Sequence, residues 1–212
     1  MNGPARAVRV AGLVLAGGAG ERLGGPKALR QIRGIPLIER VLAALRPVTA
    51  ELRLSTRPAL AEEIRRFGAP LVLDEPGNEA AEQGAVAGLR SGCRALAGFD
   101  RVIAVAVDLP FLSPALLAEM VRISLEGPFE AVLPGPPPGF EPLHAVYEPR
   151  SIAAAADRAV LSGKNALRAV LDDPDLAVRF VSRAERVRVD PLDRSIFNVN
   201  TPGDLARAEG WL

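Results

Sequence analysis

The 212-residue sequence is poor in the residues that build most metal and covalent catalytic sites, with one cysteine and one histidine. Cys93 has no second cysteine for an internal disulfide, and a zinc site of ordinary composition needs several Cys or His ligands. A Ser-His-Asp triad would have to use His144, and no nucleophile-elbow motif accompanies it. These absences exclude several reaction classes and leave carboxylates, amides, cations and backbone groups as the chemistry of the chain.

The sequence also lacks an excess of either charge, since 26 Lys and Arg stand against 25 Asp and Glu, a net charge of +1. Such a chain has no global field that would attract nucleic acid or an anionic membrane surface. No apolar run approaches the roughly 18 to 20 residues that span a bilayer, and no signal-peptide pattern is present. We therefore expect a cytoplasmic protein without nucleic-acid or membrane partners, in which any anion site is local.

Hydrophobic residues make up 49% of the chain, and they fall in strand-length runs that alternate with helical patterns. This alternation predicts one α/β domain over residues 1–212, a three-layer, Rossmann-like α/β/α fold whose mostly parallel sheet has helices on both faces. Thr201 and Asp204 predict a capping box at the start of the last helix. Predicted strands cover residues 8–15, 51–56, 70–75, 101–108, 130–134, 143–148, 177–181 and 185–189, and predicted helices cover 36–47, 58–67, 86–96, 114–127, 152–163 and 165–173.

A glycine-rich loop follows the first predicted strand, in the stretch LVLAGGAGERLGGPKAL of residues 13–29. Glycine lets the main chain approach a ligand closely, so the backbone N–H groups of such a turn can hold a phosphate. The dinucleotide fingerprint G-x-G-x-x-G fails at Leu23, and the Walker A spacing fails because Pro26 stands where the lysine belongs. What remains is the run Leu15-Ala16-Gly17-Gly18 followed by two cations, Arg22 and Lys27, as a triphosphate requires.

Two further motifs carry side chains that suit phosphate chemistry. In VAVDLPFL, Asp108 ends the most apolar predicted strand, and ligands of open parallel sheets bind at that edge. A carboxylate facing a triphosphate needs a cation between them, and Mg²⁺ suits oxygen ligands of this kind. In FNVNTPGDL, residues 197–205, extended backbone would turn Asn198 and Asn200 to one side. We expect Asp108 to bind Mg²⁺, and the two asparagines to face the phosphates or the acceptor.

With these three motifs the chain resembles the molybdenum cofactor guanylyltransferases, within the glycosyltransferase-A-like nucleotidyltransferases. The resemblance runs from Val14 to about Leu205 and includes two further segments, GAVAG at residues 84–88 and PLHAVYEPR at residues 142–150. It implies transfer of GMP from GTP to the phosphate of molybdopterin, with release of pyrophosphate. It also implies Mg²⁺ as cofactor, and transient contact with proteins of cofactor biosynthesis or with acceptor proteins is an expectation that goes with it.

Carried over by position, the resemblance implies a catalytic role for Lys27, Arg22 and Asp108. It also implies a nucleotide site in which Lys27 contacts the phosphates and Asp108 binds both the metal and GTP. The remaining nucleotide-binding residues that it implies are Leu15, Ala16, Gly17, Gly18, Ser55, Asp74, Gly84 and Gly88.

Two departures from the family pattern keep other functions open. Pro26 replaces the aspartate that often precedes the loop lysine, a choice shared with cytidylyl- and sugar-nucleotide transferases, and Ala85 replaces a proline. Cytidylyl transfer to molybdopterin or to another phosphorylated acceptor is therefore the alternative within enzymes. A nucleotide-binding module without turnover is the alternative from a different class, since the presence of the site residues does not prove their geometry.

Overall fold

A computed structural model describes residues 6–18, 20–74, 84–135 and 139–212 of the chain. Its main feature is a seven-stranded sheet in the order β5-β4-β1-β6-β8-β7-β9. Four neighbouring pairs are parallel, and β8 alone runs antiparallel to both of its neighbours, β6 and β7. These strands are β1 Val10–Leu15, β4 Glu51–Thr56, β5 Leu71–Leu73, β6 Arg101–Ala106, β7 Ala131–Pro134, β8 His144–Tyr147 and β9 Val178–Val181.

Helices cover both faces of the sheet, and a two-stranded hairpin lies apart from it. The hairpin pairs β2 Gln31–Ile32 with β3 Ile35–Pro36. The described helices are α1 Leu37–Leu45, α2 Ala61–Arg65, α3 Ala85–Ala95, α4 Pro114–Ser124, α5 Pro149–Leu161, α6 Leu167–Leu171, α7 Arg183–Arg186 and α8 Pro202–Gly210. Among them, no helix is long and apolar enough to cross a membrane.

Neighbouring residues of β1 divide the hydrophobic core into two layers. Val14 packs with apolar side chains of α1, α2 and α4 on one face of the sheet. Leu13 packs with side chains of α3, α5 and α6 on the other face. This follows from the alternation of side chains along a strand, and it shows why β1 and β6, buried on both faces, read as nearly continuous apolar sequence. The predicted three-layer α/β/α fold with a mostly parallel sheet is confirmed.

Side-chain caps begin two of the helices, and the second of them, at Thr201, is the capping box that the sequence predicts. Ser113 Oγ accepts a hydrogen bond from the Leu116 N–H at 3.2 Å, at the start of α4. Thr201 and Asp204 form a reciprocal capping box, with Asp204 N donating to Thr201 Oγ1 at 3.2 Å and Thr201 N donating to Asp204 Oδ2 at 2.8 Å. The α8 cap fixes the chain direction just after Asn200.

The strand predicted over residues 185–189 is wrong, because this segment begins inside a short helix. Ser182 and Glu185 form a second capping box that starts α7 Arg183–Arg186. The buried Arg186 then pairs with Asp193 at 2.9 Å. The alternation of apolar and charged residues indicated a strand, but the local cap and this ion pair decide the conformation.

Several predicted boundaries also shift. Pro36 precedes α1 as its cap residue, and α4 ends at Ser124 rather than near Gly127. A 3₁₀ turn, Pro58–Leu60, occupies the start of the helix predicted over 58–67. The third predicted strand ends at Leu73, and Glu75 lies outside the described residues, as do residues 136–138 of the proline-rich segment over residues 134–142.

The strand directions assemble one functional edge. The carboxyl ends of the parallel strands β5, β4, β1 and β6 meet there, and antiparallel β8 brings its amino end to the same edge. Ligands of open α/β sheets bind outside the carboxyl ends of the strands.

Candidate active site

A cavity of about 630 Å³ opens at this edge of the sheet, a volume suited to a nucleotide-sized ligand. Its walls come from the glycine loop after β1, from the ends of β4, β5 and β6, from the start of α3 and from the residue before β8. The lining residues are Leu15, Gly17, Gly18, Lys27, Ser55, Arg57, Pro58, Asp74, Gly84, Ala85, Gly88, Ala106, Val107, Asp108 and Leu143.

The glycine loop folds back on itself and thereby places Lys27. Gly20 has φ 62°, in the left-handed region that glycine adopts without steric cost. A Cβ on Gly20 would lie 2.1 Å from the Gly25 carbonyl oxygen and 2.9 Å from the Lys27 backbone nitrogen. Only a residue without a side chain allows this approach, so Gly20 sets the position from which Lys27 reaches the cavity.

The residues around the loop have different roles in the cavity wall. Gly17 and Gly18 line it, as does Leu15 at the end of β1. The Ala16 side chain is fully buried in the core, and its N–H donates to the Ser55 carbonyl oxygen at 2.8 Å. Arg22 is exposed on a 3₁₀ turn and is not among the residues that line the cavity. A contact between Arg22 and a triphosphate stays a prediction.

Lys27 is the central cation of the cavity. Its ammonium donates to Asp108 Oδ2 at 2.6 Å and to Asn200 Oδ1 at 2.5 Å. The side chains of Lys27 and Asp108 are only 21% and 14% exposed, so solvent screens their charges less than it would at the surface. The Val199 N–H donates to the Asp108 carbonyl oxygen at 2.9 Å, which fastens the segment after Phe197 to the end of β6. A cation, an anion and an amide thus meet at one point.

A second group of polar residues lies at the β4 and β5 end of the cavity. Ser55 Oγ donates to Asp74 Oδ1 at 2.6 Å. Burial raises the pKa of the Asp74 carboxyl, and the hydrogen bond from Ser55 and the charge of Arg57 act against this rise. A Cβ on Gly88 would lie 2.7 Å from Ser55 Oγ and 3.1 Å from Asp74 Oδ1. Glycine at position 88 therefore keeps the space beside this carboxylate open.

A third group lies at the β8 end. The Asn198 side-chain N–H donates to Glu141 Oε2 at 3.0 Å, and the Leu143 backbone N–H donates to Glu141 Oε1 at 3.1 Å. Leu143 lines the cavity and accepts a hydrogen bond from the Ala106 N–H at 2.8 Å. Glu141 thus joins the segment before β8 to the segment before α8.

His144 lies outside the cavity although it begins β8. It is fully buried, with Nε2 3.5 Å from Ser195 Oγ. Burial, followed by the charge of Arg186, lowers the pKa of His144 to about 3, so the ring is neutral near pH 7. His144 is thus a fully buried strand residue and not part of the cavity wall. Cys93 of α3 is likewise fully buried in the core.

Sequence reasoning missed several residues of the site. Arg57 and Pro58 line the cavity just after β4, but no motif marked them. Glu141 lies in the proline-rich segment, whose composition predicts only a loop. Its contact with Asn198 joins residues 57 positions apart, and no local pattern indicates it. The sequence does show a carboxylate, Glu141, shortly before the strand that became β8. Its place in the site follows only once the sheet order and the antiparallel direction of that strand are known.

Metal binding at this edge has a limited set of ligands. Over residues 6–18, 20–74, 84–135 and 139–212, no group of three or more His, Cys, Asp or Glu side chains is arranged to hold a metal ion. A closed protein cage therefore does not occur in that part of the chain. A single carboxylate such as Asp108 is compatible with Mg²⁺, because Mg²⁺ usually binds to one or two carboxylates and takes its other ligands from waters and substrate phosphates.

The fold, the glycine loop and the Lys27–Asp108 pair at the carboxyl edge define an α/β nucleotidyltransferase. A family model described as "MobA-like NTP transferase domain" matches residues 12–180. The chain belongs to this family.

Relatives match the chain over nearly its full length. A protein of Chloroflexus aggregans named "Probable molybdenum cofactor guanylyltransferase" is 32% identical, covering 96% of this chain and 95% of its own. A "Molybdenum cofactor guanylyltransferase" of Rhodobacter capsulatus is also 32% identical, with 97% of both chains covered. The crystal structure of "Molybdopterin-guanine dinucleotide biosynthesis protein A" from Archaeoglobus fulgidus has a TM-score of 0.80, is 29% identical, and is covered over 97% of its chain and 95% of this one. Both the sequence and the fold thus support the family.

Proposed function

We propose that this nucleotidyltransferase is a molybdenum cofactor guanylyltransferase, which transfers GMP from GTP to the terminal phosphate of molybdopterin and releases pyrophosphate. The observation that carries the proposal is the cavity at the sheet edge, where the Lys27 ammonium lies 2.6 Å from the Asp108 carboxylate beside a glycine loop. Relatives with this activity in their names cover the whole of this arrangement.

The triphosphate would lie along the glycine loop. Gly17 and Gly18 let the backbone approach the phosphate oxygens, and Lys27 provides a charge that is partly shielded from water. Lys27 now donates to Asp108 and Asn200, so its ammonium already points into the cavity. On GTP binding its N–H donors turn to phosphate oxygens, where they stabilise the charge that develops on the leaving pyrophosphate. Arg22 would add a second cation from the exposed side.

The nucleoside would lie at the β4 and β5 end of the cavity. Asp74 supplies acceptor oxygens and Ser55 orients them through its 2.6 Å hydrogen bond. Gly84 and Gly88 bring no side chain to the cavity wall at the start of α3. A carboxylate that only accepts hydrogen bonds suits guanine, which presents N–H donors on its pairing edge.

Mg²⁺ would be held by Asp108, with phosphate oxygens and waters as its other ligands. When bound, it supplies a Lewis acid and a template for the reacting phosphates. The protein's own part is to align the acceptor phosphate with the α-phosphorus of GTP and to exclude competing orientations. No protein nucleophile is required, because the acceptor phosphate is itself an anion.

The acceptor would approach from the β8 end, beside Asn198 and Asn200. Leu143 forms the wall there, and Asn200 lies within hydrogen-bond distance of Lys27. We further propose that the enzyme works in the cytoplasm and makes transient contacts with proteins that deliver or receive the cofactor.

The test is pyrophosphate release in the presence of Mg²⁺ and molybdopterin, with GTP, CTP, ATP or UTP as the nucleotide. Release with GTP in large preference to the other three nucleotides is expected. A preference for CTP would make the protein a cytidylyltransferase. Absence of release with all four nucleotides, from a protein that still binds GTP, would indicate a binding module without turnover.

A further inference from the structure

Glu141 occupies a position at which two parts of the active site meet. Its two carboxylate oxygens accept hydrogen bonds from different segments, Oε1 from the Leu143 backbone N–H at 3.1 Å and Oε2 from the Asn198 side chain at 3.0 Å. Leu143 belongs to the cavity wall. The peptide after Asn198 is fastened to Asp108 through the 2.9 Å bond from the Val199 N–H.

The chemistry of a carboxylate fixes the orientation of the Asn198 amide. A carboxylate only accepts hydrogen bonds, so the NH₂ group of Asn198 has to face Glu141 and its carbonyl oxygen has to face away. That oxygen, Oδ1, is buried and accepts no hydrogen bond from the part of the chain that the structure describes. Asn200 uses the other end of its amide, because its Oδ1 accepts a hydrogen bond from Lys27. The two amides therefore turn different groups towards their surroundings.

The sheet order places Glu141 and its two hydrogen bonds on one side of the reaction centre. Ser55 lies near the carboxyl end of β4, Asp108 follows β6 and Leu143 precedes β8, and the strands lie in the order β4-β1-β6-β8. Three strand spacings, roughly 14 Å, separate β4 from β8. A change at Glu141 thus acts on the β8 end of the cavity and leaves the Ser55 and Asp74 end in place.

We propose that Glu141 is a positioning residue for the phosphorylated acceptor: by holding the Asn198 amide in one orientation, it keeps the β8 wall of the cavity in the shape and polarity that the acceptor requires. The identification of the ligand as the phosphorylated acceptor molecule rests on the proposed function, whereas the orientation of Asn198 rests on the hydrogen bonds alone.

The sharpest variant is Glu141→Gln, which changes polarity with almost no change in shape. The Gln oxygen can keep the backbone N–H of Leu143, and its NH₂ group then faces the NH₂ group of Asn198. Two donors cannot pair, so the Asn198 amide has to turn over and present its oxygen to position 141. We expect the KM for molybdopterin to rise about tenfold, the size of one lost hydrogen bond, and the Kd for GTP to stay within about twofold.

The control is Glu62→Gln, an exposed carboxylate on α2 whose side chain is 94% exposed. It should leave both constants unchanged. Glu141→Asp keeps acceptor oxygens and should recover part of the molybdopterin KM. A role in general stability alone would instead lower the melting temperature in both variants at position 141 and leave the KM for molybdopterin unchanged.

A second readout does not depend on turnover. The side-chain NH₂ signals of Asn198 in a ¹⁵N NMR spectrum, assigned through their loss in Asn198→Asp, should shift in Glu141→Gln and stay in place in Glu62→Gln. Unshifted signals, an unchanged KM for molybdopterin, or an equal loss of GTP affinity would overturn the proposal. If the native protein releases no pyrophosphate with GTP and molybdopterin, the proposed function fails, and the NMR comparison still decides whether Glu141 orients Asn198.

Discussion

The two ends of the cavity are built in different ways. The end near β4 and β5 consists of residues at the carboxyl ends of parallel strands or directly after them, such as Ser55, Asp74 and the glycine loop. The end near β8 depends on an antiparallel strand and on a segment close to the last helix, joined by the contacts of Glu141 and Lys27 with the two asparagines. Local strand-to-loop order thus builds the end that we propose for the nucleotide, called the nucleotide end, and long-range hydrogen bonds build the end that we propose for the acceptor, called the acceptor end.

The centre between these two ends should show the largest effect. Replacing Asp108 by Asn removes the carboxylate that pairs with Lys27 and that we propose for Mg²⁺. Turnover should fall at least about 10²-fold, on the scale of one preorganised electrostatic group, while the fold is retained. Initial rates of pyrophosphate release and a circular dichroism spectrum check this.

Asp100→Asn is the matched control for Asp108, because Asp100 precedes β6 at the opposite edge of the sheet, where it pairs with Arg6. Its turnover should stay near the native value. Equal losses in the two aspartate variants would show that a negative charge at either end of β6 matters and that the assignment of Asp108 is wrong.

The nucleotide end can be broken by a single methyl group. In Gly88→Ala the new Cβ would lie 2.7 Å from Ser55 Oγ, closer than side chains pack, so Ser55 and Asp74 have to shift. We expect the Kd for GTP to rise at least about tenfold, since both hydrogen-bonding groups move, and we expect the KM for molybdopterin to change little.

Gly98→Ala controls for the cost of the substitution itself, because a Cβ at Gly98 meets nothing within 4 Å. Isothermal titration with GTP compares the two variants. Native affinity in Gly88→Ala would mean that the nucleotide does not use this wall.

The acceptor end should respond more weakly to the loss of one amide. Asn200→Ala removes the 2.5 Å hydrogen bond that holds the Lys27 ammonium beside Asp108. Turnover should fall about tenfold, with a smaller change in GTP affinity, because Lys27 keeps its charge and its partner Asp108. Steady-state kinetics and GTP binding are compared between Asn200→Ala and the control Asn165→Ala, which changes an exposed asparagine outside the cavity. A larger loss of GTP binding than of turnover would contradict this division of roles.

His144 belongs to the β8 strand of the acceptor end but should affect stability only. Its pKa of about 3 lies below the ordinary value of about 6.5, so the unfolded chain takes up the proton first as pH falls. This stability contribution is complete above about pH 6.5 and is lost progressively towards pH 3. His144→Gln should not show this loss. The difference in unfolding free energy between the native protein and the variant should therefore change by about 1.4 kcal/mol for each pH unit between about pH 6.5 and pH 3.

Urea unfolding at pH 4, 5, 6 and 7 tests this, together with turnover at pH 7, which should stay near native in the variant. Parallel stability profiles of native protein and variant would mean that His144 is not held neutral by the fold.

The sequence predicted the positions of the residues at the proposed nucleotide end better than those at the proposed acceptor end, for a physical reason. Strand periodicity and a glycine-rich turn are local signals, and parallel strand order brings their ends together by rule, as it does for Gly17 and Asp108. The capping box at Thr201 was predicted because its two partners lie three residues apart. The same local signals mispredicted residues 185–189, where period-two alternation coincided with a helix cap at Ser182.

Contacts between distant segments carry no such local signal. The pairing of Lys27 with Asn200 joins residues 173 positions apart, and neither residue indicates the other. The antiparallel direction of β8 brings Glu141 to the functional edge, whereas the predicted fold was only mostly parallel, without a strand order. Arg57 was missed because it lies one residue beyond a strand, in a stretch without a motif.

The central claim is that one cavity holds GTP at its β4 and β5 end and the phosphorylated acceptor at its β8 end. The most direct measurement is a pair of constants, the Kd for GTP and the KM for molybdopterin, in the native protein, Gly88→Ala and Asn198→Ala. We predict that Gly88→Ala changes the first constant and that Asn198→Ala changes the second, each by about tenfold and each without the other. If both variants change both constants to the same extent, or if the two effects are exchanged, the two ends do not hold separate substrates and the account is wrong.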